Sequence, residues 1–230
     1  MTTTLRPVVG LITIGQSPRS DVVPEMAAVI GPGVDVREAG ALDGLTRAQI
    51  EPLQPTGDDE ILVTRLQDGT AVFVGKPKIV TLVEARIAAL ERSGATLTAL
   101  LCTGAFPPLV SRRPLVQPQP LLLGALRAMR WPGRLGVVTP SVPHVPQTEA
   151  RWRRDGFDPI VVPLSPYEEE DASALARVAT AFRDAGVGLI AMDCMGFRRK
   201  TRDELRGLTD APVLLANLLV ARVIAELSGT

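Results

Sequence analysis

Two stretches of the chain end almost alike: TALLCTGAF, Thr98 to Phe106, and GLIAMDCMGF, Gly188 to Phe197. Each is an apolar run, then a cysteine, a glycine two residues later and a phenylalanine close behind. Between them they hold both of the chain's 2 cysteines. Short continuous apolar runs bounded by turn residues read as buried strands. Strands that are apolar on both faces belong to parallel sheets covered by helices on both sides. Such open sheets bind ligands beyond the carboxyl ends of their strands, which is where each cysteine stands.

The pattern extends outward. Pro7 to Ile14 reads as a buried strand, and the helix after it starts near Ser20-Asp21 with acidic caps. Val34 to Glu38 is a short strand. Ile61 to Leu66 and Thr70 to Gly75 flank Asp68-Gly69 as a β-hairpin. Pro77 to Arg92 is helical, with Ile79, Leu82, Val83, Ile87 and Leu90 on one stripe. Pro107, Pro108, Pro114, Pro118 and Pro120 then mark a linker or hinge. Beyond it the alternation restarts: strands at 134–139, 159–163, 187–192 and 212–215, helices at 146–155, 173–185, 199–207 and 217–227. The fold class is therefore α/β, with two similar lobes of mainly parallel sheet flanked by helices and a ligand cleft between them. The expected division is residues 1–120 for the N-terminal lobe, completed by the C-terminal helix 216–230, and 121–215 for the other. One sheet with a long loop is the alternative.

A glycine behind each cysteine lets the backbone turn sharply, and a following helix would aim free N–H groups at the thiol. Those surroundings would lower a thiol pKa from about 8.5 toward neutrality. Two thiols looking into one cleft from opposite sides suit two-base chemistry: one removes a proton from carbon and the other returns a proton on the opposite face. The competing reading is that both are small core hydrophobes. A disulfide is disfavoured, and two cysteines with 1 histidine lack the spacing of a metal site, so no metal is expected.

The two-cysteine layout, the two α/β lobes and the N-terminal strand ending in a polar loop resemble the aspartate/glutamate racemase superfamily. More specifically, LITIGQSPRSDVVPEM (Leu11 to Met26), ALDGLTRAQI (Ala41 to Ile50), the hairpin at Asp68-Gly69, and MDCMGFRRKTRDEL through PVLLANLLVARVIAEL (Met192 to Leu227) resemble the AroM family. The superfamily includes cofactor-independent racemases, arylmalonate decarboxylases and maleate isomerases. The resemblance implies Cys102 and Cys194 as the catalytic pair, a small carboxylate-bearing ligand, no cofactor and a homodimer. Gly15-Gln16-Ser17-Pro18-Arg19, Thr103-Gly104 and Met195-Gly196 stand where glutamate racemases carry an acidic-serine pair, Asn-Thr and Thr-His. That argues against glutamate as substrate.

Other loops supply candidate ligand contacts. Gln16, Ser17 and Arg19 follow the first strand, with Arg19 able to pair bidentately with a carboxylate. Thr103 and Gly104 flank Cys102, Gly196 follows Cys194, and Thr139 and Ser141 follow another strand. His144 among prolines reads as a surface or loop residue, Asp193 as structural, and Arg151, Arg153 and Arg154 as a solvated helix face. Glu168-Glu169-Glu170-Asp171 reads as helix-start charge.

The chain has 230 residues, 46% of them hydrophobic, enough for a core built from aliphatic side chains because aromatics are only 3%. Its 25 basic and 25 acidic residues cancel, so no overall field attracts nucleic acid or an anionic membrane. The N-terminal MTTTLRPVVGLITIG lacks the plan of a signal peptide, and no apolar run reaches membrane-spanning length. A cytoplasmic location follows as the expectation. The functional classes in play are a racemase- or isomerase-like enzyme, a related decarboxylase or cis–trans isomerase, and a non-catalytic metabolite sensor.

Overall fold

The structure, a computed structural model, describes residues 6–168 and 172–229. The first half runs β1 (Val8–Thr13), α1 (Val23–Ile30), β2 (Asp35–Gly40), α2 (Arg47–Ile50), a hairpin of β3 (Ile61–Arg65) and β4 (Ala71–Gly75), α3 (Lys76–Arg92), β5 (Leu97–Leu101) and β6 (Leu115–Val116). The second half runs α4 (Pro118–Arg127), β7 (Arg134–Thr139), α5 (Val145–Arg154), β8 (Pro159–Pro163), α6 (Ala172–Asp184), β9 (Val187–Met192), α7 (Arg199–Leu208), β10 (Val213–Leu215) and α8 (Ala216–Ser228). The fold is α/β, as the alternation of apolar runs and helical periods implies.

Two four-stranded sheets form, β2-β1-β5-β6 and β8-β7-β9-β10. Every pairing within them is parallel. Both sheets have one topology, with the second strand beside the first, then the third and the fourth. Cys102 follows the third strand of one sheet and Cys194 the third strand of the other. The duplicated sequence context therefore has a physical counterpart: the thiols leave equivalent strand ends.

The strands are apolar because both faces are covered. All of β5 is buried. Leu11 and Ala99 pack with α1 and α8 on one face, and Ile12 and Leu100 pack with Ile79, Val83 and Ile87 of α3 on the other. Val220, Ala221 and Ile224 of α8 join Val23 and Met26 of α1 in one cluster, so the C-terminal helix packs on the first half. Among the described residues no helix is long and apolar enough to cross a membrane.

Two local expectations are corrected. The helix expected from Ser20-Asp21 begins at Val23, with no side-chain cap, because the Asp21 carboxylate turns back onto Arg19. The proline-rich stretch is not a free linker: Leu115–Val116 pairs with β5 as an edge strand. Helix α4 then starts at Pro118, with prolines in its first turn, where no intrahelical N–H is needed. The boundary expected at residues 120/121 thus falls inside α4, whose Leu122, Leu123 and Leu126 pack against β7. Of the acidic run before α6, Glu169, Glu170 and Asp171 lie outside the described residues, as do residues 1–5 and 230.

Candidate active site

Cys102 and Cys194 are free thiols that line one chamber. The glycine two residues on has the same role in each half. The backbone N–H of Gly104 donates to Cys102 Sγ at 3.4 Å, and that of Gly196 donates to Cys194 Sγ at 3.4 Å. Neither glycine has a positive φ, so turning freedom is not what selects it. Space is. A Cβ at Gly196 would lie 2.9 Å from the rigid Tyr167 ring, while one at Gly104 would meet the movable tip of Leu62 at 2.8 Å, so the constraint is firmer at Gly196.

No helix starts directly behind either thiol; α7 begins only at Arg199. The expected drop in thiol pKa is correspondingly reversed. Burial pushes Cys102 up to about 12, against the opposing Gly104 N–H and with the neighbouring Cys194 adding to the rise. Burial likewise pushes Cys194 up to about 11, against the Gly196 N–H and the Arg19 charge. Both are neutral thiols at pH 7. The arginines act crosswise: Arg19, from the first half, favours the Cys194 thiolate, and Arg151, from the second, favours that of Cys102.

Arg151 corrects the sequence reading most sharply. It is buried rather than solvated. Its Nη1 donates to the Thr103 carbonyl at 2.9 Å and its Nη2 to Asp193 Oδ2 at 2.7 Å. Trp152 Nε1 donates to the same carboxylate oxygen at 2.8 Å, and Thr103 Oγ1 donates to the Asp193 carbonyl at 3.1 Å. The residue after one cysteine is thereby tied to the residue before the other. Sequence signal for this existed: Thr148, Arg151 and Trp152 stand at i, i+3 and i+4 and form the buried face of α5.

Arg19 lines the chamber, but its fork is occupied. Nε and Nη2 reach the two oxygens of Asp21 at 2.8 and 2.9 Å, and Nη1 reaches Thr13 Oγ1 at 3.1 Å. Burial alone would raise the Asp21 carboxyl, yet the Arg19 bond and charge hold it below the usual range. Thr103, Gly104, Thr139 and Gly196 also line the chamber. Thr139 Oγ1 shares a hydrogen bond with Thr148 Oγ1 at 2.9 Å.

Three expected contacts fall outside this wall. Gln16 donates to the Leu42 and Leu45 carbonyls and accepts from the Gln67 N–H, which fastens its loop to the hairpin. Ser17 is bound through its N–H and hydroxyl to Asp43, at 2.7 Å each. Ser141 Oγ bonds His144 Nδ1 at 2.7 Å and faces an outer cavity instead. His144 itself is buried, not a surface residue, and lines the chamber. Burial, then the Arg151 charge, lowers its pKa to about 4, so it is neutral imidazole at pH 7.

Two chamber residues carried no sequence signal. Glu60, paired with Lys76, comes from the loop before β3. Tyr167, the chain's 1 tyrosine, comes from the loop after β8. Its ring lies 5.9 Å from the Arg19 guanidinium and 5.4 Å from that of Arg65, both within cation–π range. Burial, then Cys194, pushes its phenol up, so it remains a donor. Among the described residues no three His, Cys, Asp or Glu side chains converge to hold a metal ion.

The AroM protein family model matches residues 9–228. The chain belongs to the AroM family. No curated protein matches it in sequence. Among solved structures, this AroM-family chain is similar to unliganded arylmalonate decarboxylase (TM-score 0.64, 16% identity, 97% of this chain and 93% of that one covered). It is similar to allantoin racemase from Klebsiella pneumoniae (TM-score 0.64, 16% identity, 97% and 88% covered). Picrophilus torridus aspartate racemase shares the fold too (TM-score 0.55, 12% identity, 97% and 94% covered). At these identities the likeness establishes the racemase-like fold.

Proposed function

We propose that this protein is a cofactor-independent racemase- or isomerase-like enzyme that moves a proton at the carbon beside a carboxylate of a small molecule. One observation carries the reading: two thiols, each with a glycine N–H on its sulfur, leave equivalent strand ends and line the same chamber. In turnover one sulfur, as thiolate, takes the α-proton, and the C–H electron pair passes into the carboxylate as an enediolate. The opposite thiol then gives its proton to the other face of the carbon. The two sulfurs end with their protonation states exchanged. With the Arg19 fork held by Asp21, the substrate carboxylate is bound by the Tyr167 O–H and by the hydroxyl proton left over from the Thr139–Thr148 pair. Arg19 and Arg151 stabilise the developing charge without direct contact.

The raised thiol pKa values favour a second reading, in which one thiol acts only as an acid. Loss of CO2 from a substrate carboxylate leaves an electron pair on carbon, the thiol protonates it, and solvent restores the thiol. The two readings differ in pH dependence. The free-enzyme pKa values appear in kcat/KM. A required thiolate makes kcat/KM climb tenfold per pH unit up to about pH 10; a required thiol leaves it flat over that range.

The decisive experiment is hydrogen–deuterium exchange at the α-carbon of small acids in D2O, with Cys102→Ser and Cys194→Ser compared against the parent. The two-thiol reading expects each variant to lose about 10²- to 10⁴-fold in rate while keeping its fold. No exchange in the parent, with release of CO2 from a substituted malonate that only one of the two variants abolishes, supports the one-thiol reading. Full exchange and full CO2 release in both variants overturn both readings.

A further inference from the structure

The cysteine chamber is small, about 40 Å³, enough for a few water-sized groups. Pockets that hold whole small molecules run to roughly 300–1,000 Å³. The chamber therefore takes a carboxylate and the reacting carbon, and little more. Beside it lies an outer cavity of about 620 Å³. Val63, Pro140 and Tyr167 belong to the walls of both, so the spaces adjoin, with these three side chains between them.

The outer wall is chemically distinctive. Pro140, Pro143, Pro163 and Pro166 contribute to it, together with Phe73 and Leu175. Proline has no N–H to offer, so at those positions the backbone presents ring carbon instead of donors. Phe73 is 40% exposed and Val142, at the same cavity, 70% exposed. Both are large apolar side chains left facing an open space next to the chamber. The exposed Arg177, Arg198 and Glu204 supply the polar rim.

We infer that the outer cavity is the substituent subsite of this enzyme, and that its substrate is a 2-substituted acid whose substituent is apolar and about the size of an aromatic ring. The inference rests on the proposed function, because it places the carboxylate head beside the two thiols. The head reaches the chamber past Tyr167, and the substituent remains against the proline and Phe73 wall. Burial of the substituent supplies binding energy remote from the reacting carbon, which holds that carbon between the thiols.

Matched acid pairs test it: lactate with mandelate, alanine with phenylglycine, and methylmalonate with phenylmalonate. Each pair keeps one head and replaces methyl by phenyl. The readout is the concentration that halves the alkylation rate of Cys102 and Cys194 in the intact chain. The phenyl member of at least one pair is expected to protect at a concentration about tenfold lower or less, from burial of the ring. Ala174→Trp, which fills the outer cavity from α6, and Phe73→Ser, which removes an exposed wall, are each expected to bring that ratio close to one. Equal protection by both members of every pair, or a ratio unchanged in both variants, overturns the subsite and leaves the proposed function standing. Protection by none of the six acids overturns the proposed function and the subsite together.

Discussion

His144 is the chain's 1 histidine, and that makes its titration separable from every other group. In the unfolded chain it takes a proton below about pH 6.5; in the folded protein it stays neutral down to about 4. The unfolded state therefore binds the extra proton across that window, and stability falls as pH drops through it, by about 3 kcal/mol in all. Urea unfolding at pH 7 and pH 4.5 should show most of this loss in the parent and much less in His144→Gln. At the same scale, Arg151→Met strands the Asp193 carboxylate in the interior, where one of its oxygens, Oδ1, already has no partner. A destabilisation of about 3–5 kcal/mol is expected in the same assay. The thiols themselves were legible in the sequence as a pair; the sign of their pKa shifts was not. A cysteine–glycine spacing encodes the N–H that reaches the sulfur, but the desolvation that outweighs it comes from side chains far away in the chain. Alkylation of each thiol should accordingly rise about tenfold per pH unit from 7 to 10 without a plateau. A plateau near pH 8 would show activated thiols and contradict the burial.

Among the elements, the β3–β4 hairpin is what closes the chamber from the first half. Gln147 of α5 treats its first residue as a strand would: Nε2 donates to the Ile61 carbonyl at 2.6 Å and Oε1 accepts the Ile61 N–H at 2.9 Å. One side chain from the second half thus completes the hairpin's hydrogen bonding. Gln147→Ala should release it, seen as faster amide hydrogen exchange over residues 61–75 and faster alkylation of Cys102 at fixed pH. Unchanged exchange would show that Lys76 and its contacts to Glu60 and the Ala105 carbonyl suffice to hold the hairpin. The hairpin was readable from Asp68-Gly69 between β-branched runs. Its role was not, because the Gln147 contact spans 86 residues. The proline-rich segment failed for the opposite reason. Its prolines signal a break in structure, yet Pro114 stands directly before the two-residue edge strand β6, and Pro118 and Pro120 lie in the first turn of α4, where proline is tolerated.

At the scale of the molecule, two sheets of one topology present their third strands to a shared chamber. The outline was visible in the sequence because apolar runs and helical periods are local. Two longer-range networks were not. Arg19 and Arg151 influence the thiol of the opposite half, and Asn217 of α8 donates to the Met195 and Phe197 carbonyls, pinning the loop behind Cys194. Such pairings depend on how separate elements pack in three dimensions. They also make the central claim concrete: one small acid should sit between the two sulfurs. The most direct test titrates the intact chain with the acid found to exchange its α-proton, and follows alkylation of Cys102 and Cys194 separately by peptide mass. The account predicts that both thiols are protected with the same half-saturating concentration. Protection of only one, or of the two at clearly different concentrations, would mean that the thiols do not share a ligand.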